Sequence, residues 1–150
     1  MLGEREYRTA RSPLAALVLD SSREVRVLTS IILGKVGFDV EHALSMSIAL
    51  DKLDHRFYAV ILVEASAAEE RSPLFELAPT RPDVLSRVLA LTSVIPTSQF
   101  FDDLARMKLS GIVGKPFDVR ELVDAAMRCA MRSQPWGAFK KTFRPSVQPR

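Results

Sequence analysis

The sequence predicts an α/β domain: a doubly wound, five-stranded parallel sheet with helices on both faces. Three observations lead there. Five short apolar runs alternate with five segments of amphipathic, helical period. Strict strand–helix alternation favours a parallel sheet, and right-handed crossovers then put helices on both faces. The length, 150 residues, suits one domain with a sizeable core.

The elements follow in order. "LAALVLD" (14–20) is an apolar run ending in an acid and reads as strand one. In "SSREVRVLTSIILGKVG" the pair Ser21 and Glu24 has capping-box spacing, Val25, Leu28 and Ile32 recur at helical spacing, and Gly37 is a stop. "FDVEHA" (38–43) alternates as a short strand, and "SMSIALDKLDH" reads as helix two, capped by Ser45. "YAVILVE" (58–64) is strand three. The irregular stretch that follows holds Ser72-Pro73, an N-cap with proline at the first helical position, which predicts a short helix over 73–78. "RVLALTS" (87–93) is strand four, and "PTSQFFDDLARMKLSG" is helix four, capped by Thr97 or Ser98. "GIVGKP" is strand five, and "FDVRELVDAAMRCAMRS" is helix five, with Asp118 and Glu121 as a second capping box.

Composition excludes several classes. No apolar run approaches the roughly 20 residues of a membrane span, and residues 1–13 lack an apolar signal core, so a cytoplasmic location without a membrane partner is expected. Cys129 is the only cysteine, and His42 and His55 are the only histidines, so neither an intrachain disulfide nor a Cys/His metal site is expected. The net charge of +3 is uneven: residues 133–150 carry +4, residues 1–13 carry +1, and the span between them carries −2. The chain therefore divides into an N-terminal extension (1–13), a folded domain (14–132) and a basic tail (133–150). A short basic tail is a solvated segment before it is a nucleic-acid contact, and nucleic acid is not the expected partner.

In a doubly wound sheet, chemistry sits at the carboxyl ends of the strands. Those ends carry Asp20 and Ser21, Glu64, Thr92 and Ser93, and Lys115-Pro116. Acids, a hydroxyl and a lysine on neighbouring strand ends suit phosphoryl chemistry. Here residues 14–132 resemble the response-regulator receiver domain. "LVLDSSREVR" is similar to its first motif, "YAVILVEAS" to its second, "VLALTS" to its third and "GIVGKPFDVREL", the most specific, to its fourth. The resemblance implies a flavodoxin-like strand order, 2-1-3-4-5. It also implies an acid pair for magnesium after strand one, a phosphoacceptor aspartate after strand three, a reporting hydroxyl at Thr92, and a lysine before a cis-proline, Pro116.

The departures are as informative. Ser21 stands at the second acid position and Glu64 at the acceptor position. The aromatic switch position on strand five is Ile112, beside the switch hydroxyl Thr92. A hard cation wants about three oxygen ligands from the protein, so no metal is expected, residual Mg²⁺ at Asp20 and Glu64 being the exception. Two readings of Glu64 stand open. It is a built-in phosphate mimic reaching Lys115 and Thr92, or a relic held by Lys115 because a buried carboxylate needs a partner. Asp20 has its own alternative, pairing with Lys115 while Ser21 caps helix one.

On helix five, Arg120, Glu121, Asp124, Arg128 and Arg132 fall within an arc of roughly 120°. The apolar remainder is wider than sheet packing needs. With Phe100 and Phe101 adjacent on helix four, this suggests an output face of Phe100, Phe101 and Met127, covered by a homodimer through helix 4, strand 5 and helix 5, or by Trp136 and Phe139 of the tail. The function expected is that of a non-enzymatic pseudo-receiver in a bacterial two-component or phosphorelay system. It would act independently of phosphorylation by binding a histidine kinase, a phosphotransfer protein or a downstream regulator. The rival is an enzyme on a Rossmann-like fold. A phosphatase of the haloacid-dehalogenase type wants an aspartate where Ser22 stands, and a nucleotide-binding domain wants glycines that "DSSREV" lacks.

Overall fold

The computed structural model describes residues 14–65, 72–92 and 98–133, with the backbone alone for Ser98 and Phe101. The expected features at residues 1–13, Ser66, Ser93, Thr97, Trp136 and Phe139 lie outside the described residues. The elements are β1 (Ala15–Leu19), α1 (Arg23–Lys35), β2 (Asp39–His42), α2 (Met46–His55), β3 (Val60–Glu64), α3 (Pro73–Thr80), a 3₁₀ turn (Pro82–Arg87), β4 (Val88–Thr92), α4 (Ser98–Met107), β5 (Gly111–Gly114) and α5 (Val119–Ser133). All neighbouring strands are parallel, in the order β2-β1-β3-β4-β5.

Strand composition explains that order. β1 and β4 are buried throughout, and β3 is buried up to Glu64, as strands covered on both faces must be. β2, with its alternating Asp39, Val40, Glu41 and His42, is partly exposed and takes one edge, and β5 takes the other. The pleat splits the core in two. Ala16 and Val18 of β1 face a cluster with Val25 and Leu33 of α1 and Leu122, Ala126 and Cys129 of α5. Leu17 and Leu19 face the other, with Leu53 of α2, Leu77 of α3 and Leu104 of α4. Helices therefore cover both faces, as the alternation predicts.

Three local expectations are corrected. The N-cap of α1 is Ser22, not Ser21: the Ser22 hydroxyl accepts from the Val25 amide at 3.3 Å. The buried stripe of α1 is Val25, Thr29 and Leu33, whereas Leu28 is 48 % exposed. This helix is apolar on more than one side, so several stripes fit its period and the sheet selects one. α3 runs past 78 to Thr80 and leads straight into the 3₁₀ turn, which strand and helix periods do not reveal. Ser72 stands at its N-cap position but makes no side-chain capping bond. Ser45 caps α2 through the Ile48 amide at 3.2 Å, Asp118 accepts from the Glu121 amide at 3.1 Å, and Gly37 takes φ 106° after α1, as expected.

Candidate functional site

Asp20 leaves the end of β1 with its side chain fully buried. A buried carboxylate must have its acceptors filled, and both oxygens are. Oδ1 accepts the Ser22 amide at 2.8 Å, and Oδ2 accepts Lys115 Nζ at 3.0 Å. The Lys115 side chain is 13 % exposed, so the two form a largely buried ion pair that joins the ends of β1 and β5. Arg26, one turn into α1, donates through Nη1 to the Asp20 carbonyl at 2.8 Å. The backbone around the acid is thereby tied to the helix that follows it.

Glu64 ends β3 and is half-buried. Its Oε1 accepts the Ser21 amide at 3.1 Å and the Ser21 hydroxyl at 3.0 Å. Ser21 is free to do this because Ser22 has taken over the cap. The expected Glu64–Lys115 pairing is therefore corrected: among the described residues, Ser21 holds Glu64 and Asp20 holds Lys115. The reason is burial: Asp20 is fully buried, so its carboxylate must be paired and takes the ammonium, while the partly exposed Glu64 is met by Ser21.

The remaining predicted residues are placed as follows. Thr92 is buried at the end of β4, and its carbonyl accepts the Lys115 amide at 2.8 Å. The Lys115–Pro116 peptide is cis. Ile112 packs against the core on the α4 side of the sheet. Alternation along β4 puts Thr92 on that same side, whereas Asp20, Glu64 and Lys115 are in step with the α1 and α5 side. Phe100 is buried, with its ring centroid 6.3 Å from that of Phe75, and Met127 is partly buried against the core, leaving part of its side chain exposed. The Phe101 side chain lies outside the described residues.

Sequence reasoning missed Ser22 and Arg26. Ser22 lacks a capping-box partner, so Ser21 with Glu24 masks it. Arg26 follows the cap at helical spacing on the flank of the buried stripe, and that spacing was the available signal.

The magnesium ion that the receiver resemblance implies does not fit the residues present. The strand ends supply two acids, Asp20 and Glu64. The Asp20 oxygens are already engaged, and the position between them offers a neutral hydroxyl. Among the described residues no three His, Cys, Asp or Glu side chains are grouped to hold a metal.

No family model matches the sequence, and no curated protein matches it. Solved structures do. A CheY-like receiver domain protein from Methanospirillum hungatei superposes with a TM-score of 0.69 at 16% identity, over 81% of this chain and 97% of that one. The receiver domain of the Francisella response regulator 1452 gives 0.67 at 18%, over 81% and 99%. The Vibrio cholerae chemotaxis protein CheY4 gives 0.66 at 21%, over 77% and 98%. The chain has the receiver fold, with the flavodoxin-like strand order that its motifs imply.

Proposed function

We propose that this receiver-fold chain is a signalling module of the two-component type that works without phosphorylation, by contact with another protein. One observation carries the reading: Glu64, at the acceptor position, spends Oε1 on both donors of Ser21, while Lys115 is sealed against Asp20. A phosphoacceptor needs an open carboxylate, a cation at its side and a lysine ready to receive the phosphoryl group. Here one oxygen of the acceptor-position carboxylate is taken by Ser21, a neutral residue stands at the second acid position, and the lysine is held by Asp20. For the same reason the pocket retains no magnesium. Both readings of Glu64 put it on Lys115, and the observed pairing with Ser21 supplies that contact for neither. The partner is a histidine kinase, a phosphotransfer protein or a downstream regulator.

Incubation with Mg²⁺ and acetyl phosphate, followed by intact mass measurement, tests this. The mass is expected to stay unchanged. A stoichiometric gain of one phosphoryl group, mapped to Glu64, Ser21 or Ser66, would overturn the proposal.

A further inference from the structure

We propose that the outer face of α1 is a self-association surface, on which two copies of this chain pair antiparallel about a two-fold axis. α1 already buries Val25, Thr29 and Leu33 against its own sheet. On its far side Val27, Leu28 and Ile31 are 44%, 48% and 50% exposed. At roughly 100° per residue, Glu24, Leu28, Ile31 and Lys35 form one stripe, with Val27 and Gly34 along its edge. Single exposed apolar side chains are ordinary, but three on adjoining turns of one helix form a patch.

Charge identifies the occupant. Glu24 and Lys35 are both exposed, at opposite ends of the stripe. They stand symmetrically about the midpoint between Leu28 and Ile31. An antiparallel second copy therefore sets Leu28 against Ile31 at the centre, and Glu24 of each copy opposite Lys35 of the other. A parallel pair would oppose like charges. Only another copy of the same helix supplies this mirrored pattern without further assumption. A Cβ added at Gly34 would meet no atom within 4 Å, so this edge of the stripe presents bare backbone that a second helix can approach closely. The face expected from the sequence is less suited: on α5 the exposed large apolar residues, Val119 and Met131, sit at opposite ends of the helix. The α1 surface is small, so the dimer is reversible, and its flanking ion pairs weaken with salt.

Sedimentation velocity of the full chain, from micromolar to millimolar concentration, tests this. Wild type is expected to pass from monomer to dimer. Ile31→Glu should remain monomeric with unchanged far-ultraviolet circular dichroism, because Ile31 is half exposed. Glu24→Lys should weaken association several-fold, and Glu24→Lys with Lys35→Glu should restore it. The swapped pair opposes the helix dipole, so its melting temperature falls while its association returns, and the two readouts part. Val119→Asp should leave the dimer intact. A wild type monomeric throughout, leaving the stripe to a different protein, would overturn the proposal. So would a dimer indifferent to Ile31→Glu, a swap that fails to restore association, or a dimer lost in Val119→Asp.

Discussion

Ser21 gives both of its donors, amide and hydroxyl, to a single oxygen of Glu64. A neutral residue thus stands within hydrogen-bond distance of the acceptor-position acid, where the receiver pattern has a second carboxylate and a cation between the two. Ser21→Asp should set two carboxylates against each other and lower the melting temperature. Mg²⁺ should recover that loss, and the same Mg²⁺ should not move the wild-type melt. A wild-type melt raised by Mg²⁺ would show that the serine leaves a working cation site.

Asp20 and Glu64 should differ sharply in what they hold. Asp20→Asn strands a mostly buried ammonium, and about 3 kcal/mol of stability should be lost. Glu64→Gln keeps an oxygen that can accept both Ser21 bonds and removes only their charge, with a loss below about 1 kcal/mol. Urea melts of the two variants check the order. Equal losses would mean that Lys115 is shared between the acids.

The reassigned cap gives a third expectation. Ser22→Ala should cost about 1 kcal/mol, the usual loss of an N-cap hydroxyl, and Ser21→Ala clearly less. The reverse order in denaturant melts would return the cap to Ser21.

A fourth expectation concerns acid. Glu41 on the edge strand β2 takes hydrogen bonds from Lys52 Nζ at 3.0 Å, from Tyr58 OH at 2.8 Å, and from Arg56. Burial alone would raise its pKa. The bonds from Tyr58, Lys52 and Arg56 together outweigh burial and hold it below the ordinary 4.5. A depressed carboxylate contributes stability that is whole above its unfolded pKa and fades as pH falls through the folded one. Wild type should therefore lose stability more steeply than Glu41→Gln as the pH drops below about 4.5. Parallel acid limbs in the two melts would assign that loss to other carboxylates.

Most of the fold was legible because its signals are redundant. Each central strand is an unbroken apolar run, and the caps at Ser45 and Asp118 and the stop at Gly37 lie where spacing puts them. The site was legible as a set of strand ends but not as a set of partners. Which acid meets Lys115 depends on how deep each acid sits, and that is not written in residue order. The outward stripe of α1 was hidden for a related reason. A helix apolar on several sides does not say which of them the sheet will take.

The bond between Asp20 and Lys115 spans 95 residues of chain. Closing so large a loop carries an entropic cost that earlier, more local pairings do not repay. The bond is therefore expected among the last steps of assembly and the first of opening. Its loss should appear as speed: Asp20→Asn should unfold about a hundredfold faster and refold at nearly the wild-type rate. Stopped-flow mixing reads both arms. In kinetic terms the pair is a bolt closed after the chain is folded, and it sets how long the domain stays shut.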